Sequence, residues 1–138
     1  MNRKLIVAVA AVATILSTSS HAGPREELLA QYAAAAKAAA PAFSGFSAVR
    51  GKTLHTQAFA AGKADTPACT SCHGIDPRGA GRNAGGKTIA AMAVSVTPMR
   101  YTDAAKVEKW FKRNCNEVLG RECMAQEKGD WLAYVTSL

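Results

Sequence analysis

No stretch of this 138-residue sequence is apolar for long enough to span a bilayer, and none alternates polar and apolar residues over the length of an ordinary strand. The longest apolar run, Leu5 to Leu16, holds 12 residues including Thr14, well short of the roughly 20 that a membrane helix needs. The missing alternation excludes a half-buried sheet and leaves helix as the regular structure to expect. There is also no block of like charge. The Lys and Arg residues behind the net +7 are scattered, so they form no stripe of the kind that binds nucleic acid. Internal repeats are absent, and the only low-complexity stretch is the alanine-rich Ala33 to Ala40. Histidine is scarce at three residues and cysteine at four, which keeps the set of conceivable metal ligands small.

What is present begins with an export signal. Asn2, Arg3 and Lys4 make a basic start, the apolar run follows, and Ser20-His21-Ala22 reads as a small-residue cleavage site. Residues 1–22 are therefore expected to be removed, leaving 23–138 as one soluble domain of 116 residues, a monomer in the periplasm. Loss of Arg3 and Lys4 lowers the net charge to +5, a moderate excess that suits an acidic partner or the acidic groups of a cofactor. All four cysteines lie in the mature part. In an oxidising compartment each of them has to be bonded to something.

Helix signals divide the mature chain. Pro24 followed by Glu26 and Glu27 suits a first turn, with Leu28, Tyr32 and Ala35 or Ala36 at helical spacing and Pro41 as a stop. Ser47 reads as the cap of a second helix running to about Phe59 and ending at Gly62. From Asp65 to Pro98 the chain is rich in Gly, Pro and Ala, with a helical turn expected at Cys69 to His73 and another near Ile89 to Met92. Thr102 or Asp103 caps a helix whose stripe carries Val107, Trp110, Phe111 and Asn114. A last helix, about Ala125 to Ser137, buries Trp131, Leu132 and Val135, and its Gly129 invites close approach by Leu28 and Tyr32 of the first helix.

Cys69-Thr70-Ser71-Cys72-His73 is C-x-x-C-H. At this spacing two thiols on one turn reach the two vinyl groups of a haem, and the next residue brings its imidazole to the iron. Cys69 and Cys72 are thus expected to hold one haem c covalently, with His73 as the proximal ligand and Gly74 clearing space beside the macrocycle. A thioredoxin-like dithiol would need a strand and helix that this region lacks. A zinc site built from all four cysteines leaves His73 without a role. Gly81 to Thr88 matches the phosphate-binding pattern G-x-x-x-x-G-K-T, but that pattern acts only between a strand and a helix of an αβ sheet. It reads instead as a loop skirting the haem, with Arg82 or Lys87 near a propionate. Trp110 and Phe111 are the side chains expected to pack on the haem.

The second axial position separates an electron carrier from a ligand binder. Met92, Met99 and His55 are candidates from the residues alone, and Asn114 reads as a helix C-cap. The segment from Tyr101 through Trp110, Phe111, Asn114 and Cys115 to Gly120, Arg121, Glu122 and Cys123 resembles the sphaeroides haem protein (SHP) group of class I cytochromes c. The resemblance continues through Lys128, Gly129 and Asp130 and covers roughly Phe43 to Leu138. It implies the class I cytochrome c fold, all-α, with crossed N- and C-terminal helices around one covalent haem. It implies that Asn114 binds oxidised iron, lets go on reduction, and leaves the ferrous haem open to oxygen, nitric oxide and carbon monoxide. A branch resembling cytochrome c″ carries histidine at that place. The resemblance also suggests a multihaem c-type cytochrome as electron donor. An amide oxygen is a hard, neutral donor, which favours ferric over ferrous iron.

Cys115 and Cys123, with Gly120 between them, are expected to form a disulfide. Closing a loop of about nine residues contributes ~2.5 kcal/mol by chain entropy. The leading reading is a periplasmic redox cytochrome whose ferrous haem binds diatomic ligands. The alternatives are a plain electron carrier with a methionine ligand and an enzyme converting oxygen or nitrogen oxides. Arg113, Glu117 and Arg121 are the only acid-base groups beside Asn114, so catalysis has little support in the sequence.

Overall fold

The computed structural model describes residues 23–138, so the expected signal segment lies outside the described residues. Five helices carry the fold: α1 (Pro24–Ala39), α2 (Ala48–Thr56), α3 (Thr70–His73), α4 (Ala104–Leu119) and α5 (Ala125–Thr136). None among the described residues is long and apolar enough to cross a membrane.

Local chemistry explains most helix ends. Pro24 stands at the first turn of α1 with Glu26 and Glu27 beside it, where carboxylates meet the positive end of the helix dipole. The Ser47 hydroxyl accepts the Arg50 amide and opens α2, and the Asp103 carboxylate accepts the Lys106 amide and opens α4. Gly120 closes α4 in the left-handed region at φ +71°. At the start of α5, Glu127 reaches back to the Met124 amide at 2.8 Å.

Two expectations are corrected. The second helix stops at Thr56, short of Phe59, because the Phe59 amide donates to the Pro67 carbonyl at 2.7 Å instead of continuing the helix. No turn of helix forms at Ile89 to Met92. Thr88–Ile89 (β2) pairs antiparallel with Gly81–Arg82 (β1), in a hairpin too short to show alternation.

The core is built on α5, with α1 and α4 contributing to it and α2 packed against it. Leu28, Tyr32, Met92, Val107, Trp131, Leu132, Tyr134 and Val135 form one buried cluster. Gly51 lets α2 lie directly on α5, since a Cβ there would stand 2.0 Å from the Asp130 carbonyl oxygen. Gly129 serves a different neighbour from the one expected: the Phe46 ring fills its place, 2.1 Å from a built Cβ. Asp130, 4% exposed, is bound by the Ser47 amide at 2.7 Å and by the Arg50 guanidinium at 2.7 and 2.8 Å. Tyr101, just before α4, holds φ at +64°, a conformation costing roughly 1–2 kcal/mol in a residue with a Cβ. Its hydroxyl donates to the Met92 carbonyl at 2.9 Å and its ring meets Trp131 edge-on.

A second backbone seam joins the end of α4 to the segment before α3. The Lys63 amide donates to the Glu117 carbonyl at 2.7 Å. A Cβ on Gly62 would lie 2.2 Å from the Val118 carbonyl oxygen, and one on Gly120 would lie 2.2 Å from that of Ala61.

Gly51→Ala is expected to cost about 2 kcal/mol or more, because backbone rather than a movable side chain blocks the methyl group. Gly85→Ala meets only the Asn83 carboxamide at 3.5 Å and should stay within about 0.5 kcal/mol. Denaturant midpoints of the two variants check both.

Candidate haem site

Cys69, Cys72 and His73 share the single turn of α3. The turn closes by hydrogen bonds that the His73 amide donates to the Cys69 carbonyl (3.1 Å) and the Gly74 amide to the Thr70 carbonyl (3.0 Å). Gly74 then takes φ +70° and ψ 173°, a combination open to glycine alone. This backbone demand is the reason the structure displays for glycine after the histidine. Both thiols are half-buried and unpaired. Burial pushes the Cys69 thiol up to about 11, so at neutral pH it is a neutral thiol. Sγ of Cys115 and Sγ of Cys123 are 2.03 Å apart, so the zinc alternative loses two of its four ligands.

His73 is held neutral. Burial first, and then the neighbouring His55 and Arg100, bring its pKa down to about 4, leaving a lone pair for a metal at neutral pH. Its Nδ1 is buried without a hydrogen-bond partner among the described residues, as is Nε1 of Trp131. Two thiols one turn apart, a neutral imidazole next to them and buried donors without acceptors within the polypeptide fit a covalently attached haem. The residues that could hold it are Cys69, Cys72 and His73.

His55 is not placed as a second axial ligand. It is fully buried on α2, where its Nε2–H donates to the Gly74 carbonyl at 2.9 Å. Its ring lies between Trp131 and Tyr134, at centroid distances of 6.5 and 5.9 Å. Burial lowers its pKa, with the Gly74 carbonyl pulling the other way. It braces the end of the haem turn, a role the sequence concealed because the acceptor lies 19 residues away.

The other expected site residues divide. Asn114 is half-buried on α4, directly before Cys115. No hydrogen bond engages its amide among the described residues, whereas Asn116 donates to the Lys112 carbonyl at 2.6 Å. Phe111 turns toward α1 and α5, meeting Tyr32 and Trp131 edge-on. Trp110 remains 44% exposed under the Arg113 guanidinium. Met92 sits in the core and Met99 is 78% exposed. Arg82 donates to the Gly86 carbonyl of its own hairpin, and Lys87 is exposed there. Arg100, which the sequence did not single out, is the cation whose field reaches His73. It is held by the carbonyls of Ala90 and Ala91.

Residues 41–135 match a family described as a domain of unknown function, DUF1924. The chain is 49% identical to the cytochrome c-type protein SHP of Cereibacter sphaeroides, over 80% of this chain and 81% of that one. It is 33% identical to cytochrome c″ of Methylophilus methylotrophus, over 98% and 94%. Among solved structures it resembles oxidised SHP, described as an oxygen-binding cytochrome c, with a TM-score of 0.76 and 46% identity over 84% of this chain and 97% of that one. It also resembles oxidised cytochrome c″ from M. methylotrophus, with a TM-score of 0.72 and 34% identity over 83% and 94%.

Replacing His55 by Leu should cost about 1–3 kcal/mol, the usual penalty for a buried carbonyl left without its donor, with the haem still attached. Thermal unfolding of the holoprotein measures this, and an unchanged midpoint would show the Gly74 bond to be dispensable.

Proposed function

Given that this chain belongs to the DUF1924 family and to the c-type cytochromes related to SHP and cytochrome c″, with their all-α fold and haem c, we propose that it is an exported redox protein whose ferrous haem binds diatomic gases. The observation that carries the reading is Asn114: a half-buried amide without a hydrogen bond among the described residues, in a relative of a cytochrome described as oxygen-binding.

Cys69 and Cys72 would hold the haem through their sulfurs, and His73 would supply an imidazole nitrogen to its iron. Haem so held supplies a one-electron couple and, when ferrous, a place for a small ligand. Asn114 would offer the iron an amide oxygen, a weak, hard donor that ferric charge would hold better than ferrous. Cys115 and Cys123 form a disulfide directly after Asn114. Together with the Lys63–Glu117 seam it holds the last turn of α4 and limits how far Asn114 can travel. The protein works in the periplasm and exchanges electrons with another cytochrome, a multihaem donor in the SHP pattern. The net charge of the domain, +5, suits an acidic face on that partner.

Three measurements test this. The dithionite-reduced protein should have a high-spin spectrum that shifts on adding carbon monoxide. A low-spin spectrum indifferent to the gas would mean that a methionine or histidine stays on the iron and that the protein is an ordinary electron carrier. Asn114→Ala should turn the ferric spectrum high-spin while leaving carbon monoxide binding to the ferrous form intact. In the Cys115→Ser, Cys123→Ser double variant the haem should remain attached and the rate of carbon monoxide binding should change. An unaltered rate would reduce the disulfide to a staple.

A further inference from the structure

A column of aromatic rings leads from the haem turn to a surface cleft. His55 holds the Gly74 carbonyl, and its ring lies 6.5 Å from Trp131. Trp131 meets Phe111 at 5.9 Å, and Phe111 meets Tyr32 at 6.2 Å. The Tyr32 hydroxyl donates to Oε1 of Glu108, whose other oxygen is 2.7 Å from Lys128 Nζ. Tyr32, Glu108 and Lys128 line a cleft of about 410 Å³ between α1, α4 and α5.

Edge-to-face rings at these spacings are ordinary core packing. Packing does not require that a buried phenol be given to a carboxylate, and of the three tyrosines only Tyr32 has such a partner among the described residues. Tyr101, also edge-on to Trp131, donates to a backbone carbonyl, which is no base. We propose that the column is an electron route and that Tyr32 is a redox-active tyrosine, oxidised when the reduced protein meets a hydroperoxide. The proposal rests on the reading of an open ferrous haem on His73.

Reducing hydrogen peroxide to two waters takes two electrons and two protons. The ferrous iron gives one electron and becomes ferric. Tyr32 gives the other through Phe111 and Trp131, and its O–H bond breaks as the proton passes to Glu108. Glu108 passes this proton on to solvent and the peroxide draws its two protons from solvent, so the products are two waters, ferric iron and a neutral tyrosyl radical, with a net uptake of one proton. Several features set this outcome. Burial, and then Glu108, raise the Tyr32 pKa far above the ordinary value, so the phenol gives up its proton only along with its electron. Burial would raise Glu108, but the hydrogen bonds from Lys128 and Tyr32 outweigh it and keep the carboxyl ionised and able to accept that proton. The Lys128 ammonium stands 5.6 Å over the Tyr32 ring and 5.9 Å over Phe111. It opposes positive charge on either ring and favours the neutral radical. The oxidising equivalent thus ends beside the cleft, and not on His73 or the thioether sulfurs.

The test is to mix the ferrous holoprotein with one equivalent of hydrogen peroxide, freeze it, and record electron paramagnetic resonance and haem absorption together. A tyrosyl signal is expected in the native protein and in Tyr101→Phe. It should fall to background in Tyr32→Phe and weaken in Glu108→Gln, while all four proteins oxidise their iron. Iron oxidised without a radical, or a radical that survives Tyr32→Phe, would overturn the electron route alone. Haem that stays ferrous in peroxide would overturn the open-iron reading and this proposal together.

Discussion

The carboxylate of Asp130 decides where α2 lies, and the haem turn hangs from α2. Asp130 is almost wholly buried, and such a charge is tolerated only when every oxygen is engaged. Ser47 and Arg50 engage it from the first turn of α2, which fixes the helix in both position and rotation on α5. That rotation puts Gly51 against the Asp130 backbone and sends His55, one turn further on, to the Gly74 carbonyl. Gly74 follows His73 directly. One buried carboxylate, paired with a half-exposed arginine, is therefore connected to the His73 segment through a single helix and a single hydrogen bond.

Helix termini and the haem turn were legible in the sequence because their causes are local. Pro24, Ser47 and Asp103 each act within one turn of themselves, and the C-x-x-C-H pentapeptide contains its whole constellation. The short hairpin at 81–89 and the early end of α2 were not legible. Both depend on amides captured by distant carbonyls, such as that of Phe59 by Pro67. Gly129 shows the same limit. Its lack of a side chain announced a close neighbour, but only the fold could show that the neighbour is Phe46 rather than α1.

The candidate site was half-readable for the same reason. Cys69, Cys72 and His73 lie together in the chain and together in space. Of the stripe expected on α4, Val107 is buried, Phe111 and Asn114 are half-buried, and Trp110 is exposed. The stripe could not distinguish Phe111, which turns to the rings of α1 and α5, from Trp110, which stays at the surface beneath Arg113. His55 and Arg100 reach the haem turn from other parts of the chain. A lone histidine or arginine with no motif around it carries no mark of that destination.

The seam between Ala61–Lys63 and the last turn of α4 is mostly backbone, with Gly62 and Gly120 in direct contact with opposing carbonyls and the Lys63–Glu117 ion pair at its edge. Little side chain lies between α4 and this segment to absorb a displacement. A shift of the end of α4 is passed to the residues that lead into Cys69. The two segments are in this sense one mechanical part, and the seam leaves no room for a graft, an insertion or a larger residue.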